Sequence, residues 1–171
     1  ILIFSFYFSV YRNKLLENIR KIESVGNMER FAVAIERIEE KLGGWARAEL
    51  TLMFLVGFAT YVGLIMLSVP YALPLAILAG LFEIIPMIGP FIAGAFATLI
   101  GFGISPVTGV AVAALSFLIQ QLENYLFVPK VMQKSVGLNP VVTLISLAIG
   151  FRLFGIIGAL IAIPIVLTLQ V

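Results

Sequence analysis

The sequence predicts an all-α, polytopic helical membrane protein with broken or re-entrant helices and an amphipathic helical hairpin. Three observations carry that reading. Hydrophobic residues make up 61% of the chain and charged residues only 12%, with a mean hydropathy of +1.14, far from ordinary soluble usage. Beyond Glu49, 122 residues hold only five charges (Glu83, Glu123, Lys130, Lys134 and Arg152), most of them beside a proline or glycine that interrupts an apolar run. Between Tyr11 and Glu49 the pattern changes, because fifteen of the twenty charges gather there and the apolar residues take helical spacing.

Residues 1–9 (ILIFSFYFS) read as the end of a truncated transmembrane helix, too short to cross a hydrocarbon layer of about 30 Å. With no initiator methionine before this apolar stretch, the chain is expected to be part of a longer protein. Residues 10–49 form the second segment, the charged hairpin. Leu15, Ile19 and Ile22, then Phe31, Ile35, Ile38, Leu42 and Trp45, step by three and four as one apolar helix stripe does. Asn27, after Gly26, is expected to cap the second arm, and Gly43-Gly44 to stop it. Eight Lys/Arg between Arg12 and Arg47 place the hairpin on the cytoplasmic side by the positive-inside rule.

Residues 50–171 form the third segment, the transmembrane part. Residues 50–69 carry no charge and suffice for one span, with Pro70 and Pro74 marking the turn that follows. Tyr71 to Phe102 is too long for one helix and is interrupted by Glu83-Ile-Ile-Pro-Met-Ile-Gly-Pro90; a break is expected across Ile85 to Pro90, with Pro86, Gly89 and Pro90 shaping it. Gly89, Ala93, Ala97 and Gly101 recur every fourth residue and leave one helix face smooth for close packing. Gly103 to Pro106 form a turn before the next apolar run. Pro129 is expected to open a short helix ended by Gly137, and Asn139-Pro140 to start the last stretch. That stretch is broken in turn by Gly150, Gly155 and Gly158. Two over-long apolar stretches, each interrupted, point to discontinuous helices enclosing a site.

Cysteine, histidine and aspartate are absent, so disulfide frameworks, Cys/His zinc sites and Ser-His or aspartyl chemistry are excluded. No cofactor or metal site is expected, and an enzyme is disfavoured. The basic residues alternate with glutamates rather than forming a patch, so no nucleic-acid partner is expected; the lipid bilayer is. Ionisable groups inside a membrane are costly and mark functional pathways. Glu83, Gln120, Gln121, Glu123, Asn124 and Arg152 are therefore the pathway candidates, with Arg152 expected to pair with Glu83 or Glu123. Plain structural roles compete: Glu83 could satisfy freed backbone, and Gln120 to Asn124 could be a hydrated helix end. Lys130 and Lys134 read as interface anchors.

The blocks Glu83 to Pro90, Gln120-Gln-Leu-Glu-Asn124 leading to Val128-Pro-Lys130, Val136-Gly-Leu-Asn-Pro140, Ile149-Gly150, Phe154 to Ala159 and Ile163-Pro164 together resemble the C-terminal half of the autoinducer-2 exporter family of bacterial and archaeal permeases. The match runs in order over about residues 45–170. Where that family commonly has a glycine and a glutamine, this chain has Ala48 and Glu49. The resemblance implies an inner-membrane, multi-pass, homo-oligomeric transporter of a small solute such as autoinducer-2, or a sodium/proton antiporter. The alternative is a passive pore or membrane scaffold in which the polar breaks only satisfy backbone.

Overall fold

The computed structural model describes residues 25–85, 88–132 and 140–171. Among them the order is α1 (Val25–Met66), α2 (Ala72–Phe82), α3 (Ile88–Ile104), α4 (Pro106–Leu122), a π-helical turn (Glu123–Phe127), α5 (Val128–Met132) and α6 (Pro140–Leu169). No strand occurs in these residues, and the all-α membrane fold holds. Three stretches are long and apolar enough to cross a bilayer: Val33–Met66, Pro106–Met132 and Val141–Leu169. The truncated span and the first arm of the hairpin fall outside the described residues.

Helix α1 departs from expectation. Gly43-Gly44 does not stop it; the helix runs through both glycines, and through Gly26-Asn27, for 42 residues. A helical glycine costs only about 1 kcal/mol relative to alanine, and the apolar stripe continues across this pair. Ile35, Ile38 and Leu42 are half-buried, and Trp45, Ala48, Leu52, Val56, Thr60 and Leu64 are buried at steps of three and four. The charged segment and the first span are thus one continuous rod.

The chain divides into two compact units, residues 44–137 and residues 1–43 with 138–171. In the 44–137 unit, α1 ends in a tight turn in which Ser68 and Tyr71 adopt positive φ (54° and 64°). Helix α2 then runs only eleven residues, about 16 Å, well short of a bilayer. Its partner α3 buries Gly89, Ala93, Ala97 and Gly101, the four-residue stripe read from the sequence. Gly89 and Pro90 lie in the first turn of α3 and not in the break. Proline is tolerated there, where its missing N–H would have no partner, and a side chain on Gly89 would strike the Phe82 carbonyl. Ser105 caps α4 by accepting from the Thr108 N–H at 3.0 Å, with Pro106 at the first helical position.

Packing in this unit follows membrane logic. Small residues let backbones meet: a Cβ on Gly80 would lie 2.7 Å from the Met53 carbonyl, and one on Gly101 3.1 Å from the Gly109 Cα. The buried cluster of Leu64, Val69, Leu75, Ala97 and Val112 ties α1 to α4, while large side chains such as Phe54, Phe91, Leu99 and Phe117 are exposed. Lipid tails are as apolar as these side chains, so close van der Waals contact is what remains to hold helices together.

In the other unit α6 is a hairpin. Phe154 (φ −134°, ψ 17°) and Gly155 (φ 61°, ψ −142°) leave helical geometry, and the Gly150 and Gly158 backbones lie against each other. In a straight helix eight residues would separate them by about 12 Å. The bend is at Gly155, which supplies the positive φ; Gly150 and Gly158 are helical and permit the arms to touch. Each arm of about fourteen residues is about 21 Å long, so this stretch folds back on itself. Lys41 Nζ donates to the Gln170 carbonyl at 3.3 Å in the same unit.

The crossings can be tested by adding one carbon. Gly80→Ala is expected to lower the stability of the purified protein in detergent by about 1–3 kcal/mol through overpacking. Gly103→Ala, where nothing lies within 4 Å, is expected to be neutral or stabilising by up to about 1 kcal/mol. Equal effects in thermal unfolding would contradict the close approach of α1 and α2.

Candidate functional site

Three glutamates occupy buried positions that continue helix stripes. Glu49 follows Trp45 by four residues on α1, Glu83 follows Ala79 by four at the end of α2, and Glu123 follows Ile119 by four at the end of α4. Each carboxyl thus takes a place that helical spacing reserves for a packed side chain. Glu49 is 4% exposed, Glu83 2% and Glu123 4%.

Glu83 is placed by the break after α2. Its backbone N–H still donates to the Ala79 carbonyl at 3.3 Å, so its side chain projects from the last helical turn into the unit. Pro86 and Met87 lie outside the described residues. Glu123 is placed by a different device. Pro129 has no N–H to give the Tyr125 carbonyl, and its ring crowds that carbonyl. The preceding turn widens to π-helix over Glu123–Phe127, and the Val128 N–H reaches back five residues to the Glu123 carbonyl. Such bulges are rare and recur at functional sites. Pro129 is the second residue of α5 (Val128–Met132), in the first turn of a short helix as the sequence predicts, but α5 follows the π turn and α4 without a break, in one rod from Pro106 to Met132. Gln120 to Asn124 accordingly lie inside a rod and not at a helix end. Gly137, the expected stop, lies outside the described residues, as does Lys134.

Glu83 and Glu123 share a side-chain hydrogen bond. Two ionised carboxylates have only acceptors, so this bond needs a proton on one of them. One oxygen of each, Glu83 Oε2 and Glu123 Oε2, is buried without a partner, as are both oxygens of Glu49 and the Trp45 Nε1. Glu49 lies within electrostatic reach of both Glu83 and Glu123. The arrangement is a carboxyl pair with a third carboxyl beside it. Sequence reasoning missed Glu49 because the expected stop at Gly43-Gly44 put it at the edge of the charged hairpin. Its four-residue step from Trp45 was the available signal.

Gln120 lines a small cavity of about 20 Å³ with Thr60 and Ser116, walled by Val56, Leu64, Ala93 and Ala97. That is room for about one water. Gln120 precedes Glu123 by three residues and so shares its helix face. Gln121 is half-buried, while Asn124 and Lys130 are exposed. Arg152 is exposed and belongs to the other unit, and the side-chain partner of Glu83 is Glu123. Pro140 is the first residue of α6.

The sequence compares with known proteins as follows. The family profile described as AI-2E family transporter matches residues 1–171. "Putative transport protein YrrI" of Bacillus subtilis (strain 168) is 29% identical over 143 residues, 84% of this chain and 40% of the relative. YueF of the same organism, named in the same way, is 33% identical over 129 residues, 75% of this chain and 35% of the relative. MT0215 of Mycobacterium tuberculosis (strain CDC 1551 / Oshkosh), also so named, is 34% identical over 126 residues, 71% of this chain and 33% of the relative. The chain thus spans two fifths or less of the length of these curated relatives. No solved structure matches it.

The shared proton makes the carboxyl pair testable by a double-mutant cycle. Glu83→Leu or Glu123→Leu alone strands the other carboxyl and is expected to cost about 1–3 kcal/mol. The double substitution is expected to cost less than the sum by at least about 1 kcal/mol, read from thermal unfolding in detergent. Strict additivity would show that the two side chains act independently.

Proposed function

We propose, from the premise that this chain belongs to the AI-2E transporter family, that it is the C-terminal transport half of a multi-pass secondary transporter in a prokaryotic plasma membrane. The carboxyl pair of Glu83 and Glu123 is its exchange site. The observation that carries this reading is the shared hydrogen bond between two carboxyls, one at the end of a half-length helix and the other at a π-helical bulge. Both backbone devices are ones that can change geometry: a broken helix end can tilt, and a π turn can pass its extra residue along the helix. Movement of either separates the two carboxyls and frees the proton between them. A solute that offers donors or positive charge can then take the proton's place.

The cargo class follows from that chemistry. A site of acceptors suits a small polar solute rich in hydroxyl donors, such as the signal molecule autoinducer-2, or a cation moved against protons. Gln120, which shares the helix face of Glu123 and lines the neighbouring cavity with Ser116 and Thr60, supplies amide contacts beside it. Glu83, Glu123 and Gln120 are the pathway residues, and Gln121, Asn124 and Arg152 are left to peripheral roles. Assembly into homo-oligomers, with the exposed apolar faces against lipid or neighbouring copies, completes the reading.

Transport by the full-length protein in liposomes tests it, with ion and pH gradients varied independently over a panel of small polar solutes and monovalent cations. Glu83→Gln and Glu123→Gln are each expected to reduce flux by about tenfold or more, since losing a charge-assisted hydrogen bond costs about 1.5–3 kcal/mol and each 1.4 kcal/mol is about a factor of ten. Full flux in both variants would remove these residues from the pathway, and flux indifferent to every gradient would indicate a passive pore.

A further inference from the structure

The unit of residues 44–137 leaves an imbalance among its buried polar atoms. Among the described residues, the buried side-chain atoms without partners are four carboxyl oxygens, two on Glu49 and one each on Glu83 and Glu123, against a single donor, the Trp45 Nε1. An ionised carboxylate removed from water without a donor or a cation is among the most expensive groups a protein interior can hold. The Glu83–Glu123 pair answers part of this need by sharing a proton. Glu49 has no such arrangement, since both of its oxygens lack partners and its residue is 4% exposed.

Among the described residues the surrounding elements offer no counter-charge. Helix α3 contains no ionisable residue. The end of α2 contributes Glu83, and the π turn contributes Glu123. The described basic residues of this unit, Arg47 and Lys130, are exposed. Nor are the carboxyls gathered for a metal ion: among the described residues no group of three acidic side chains is arranged to hold one. What fits an isolated buried carboxylate beside a carboxyl pair, with neither donor nor cation against it, is a proton.

We propose that Glu49 is a third proton-binding group of this site, so that Glu49, Glu83 and Glu123 together bind one proton beyond the one the pair shares. The step is a simple protonation: an O–H bond forms on a Glu49 oxygen, the carboxylate becomes a neutral acid, and the proton leaves again when a cationic or donor-rich solute enters. Glu49 lies at the centre of the Val33–Met66 stretch, on a helix different from those of the other two. This rests on the reading of Glu83 and Glu123 as the exchange site, and it adds a proton to each cycle that passes through the fully loaded state.

The test counts protons rather than solute. Acid-minus-alkaline infrared difference spectra of the purified full-length protein report protonated carboxyls through their carbonyl band. Glu49→Gln is expected to remove from that band the amplitude of one carboxyl, while Glu83→Gln and Glu123→Gln still show the Glu49 contribution. Glu49→Leu, which keeps an apolar side chain of similar size in the stripe, should give the same loss and serves if the glutamine variant does not fold. A band unchanged in a folded Glu49 variant overturns the proposal and leaves the reading of Glu83 and Glu123 standing. Full flux in Glu83→Gln and Glu123→Gln overturns that reading and, with it, any part for Glu49 in transport.

Discussion

A carboxyl taken out of water must meet a donor, a cation or a proton, and the hydrogen bond between Glu83 and Glu123 is where the 44–137 unit meets that requirement. Much else in the unit follows from bringing these two groups together. Glu83 must stand at a helix end, and α2 ends after eleven residues, about half the length that a span needs. Glu123 must turn inward from a long rod, so the rod carries a π turn, and Pro129 two residues beyond it removes the backbone bond that would otherwise favour regular helix. Neither group could approach the other if the helices between them carried large side chains. The stripe of Gly89, Ala93, Ala97 and Gly101, and the glycine contacts of α1 with α2 and of α3 with α4, keep the backbones near enough.

The distribution of side-chain size supports the same view. Buried positions hold alanine, glycine and modest aliphatics, whereas phenylalanine and isoleucine crowd the exposed faces. In water this would be inside-out, but in a bilayer it is the economical arrangement, because lipid accepts bulky apolar groups at no loss and contact distance decides helix association. Hydroxyls add their share without leaving their own helices: Thr51, Ser146 and Thr168 each donate to the carbonyl four residues earlier, a local solution that satisfies these three groups within the helix.

What was legible in the sequence was whatever depends on composition or period. The membrane class, the short piece ahead of Glu83, the interruption after it, the small-residue stripe of α3 and the bend at Gly155 all follow from local chemistry and appear where the residues put them; the turn expected over Gly103 to Pro106 narrows to Ser105, because α3 runs to Ile104 and Pro106 opens α4. Where the structure differs, glycine is the common residue: Gly43-Gly44, Gly150 and Gly158 interrupt the apolar period on paper, yet their context lets the helix continue. Gly43-Gly44 is crossed because the apolar stripe on either side keeps its phase. Pro129 is absorbed because a π turn relieves the clash, and nothing in the residue types between Glu123 and Phe127 announces that relief. The carboxyl pair was half legible: both glutamates stood out as buried charges, yet their natural partner on paper was Arg152, and opposite charge was preferred over a shared proton.

Glu49 shows how one wrong boundary hides a buried carboxyl. With a stop at Gly43-Gly44, Glu49 is the last charge of a solvated hairpin and the apolar span begins after it. With α1 continuous, the same residue lies midway along the Val33–Met66 stretch, four residues after a buried tryptophan and three before a buried leucine. The helical period then assigns it to the packed face, and its chemistry becomes a question of what neutralises it. Two half-length devices in the chain answer that question differently. The hairpin in α6 turns at Phe154 and Gly155 and places an exposed phenylalanine at its bend, a purely backbone solution. The break after α2 turns at Glu83, a titratable group in contact with another. Only the second sets a titratable contact at a helix break, so only there can the presence or absence of a proton bear directly on helix geometry.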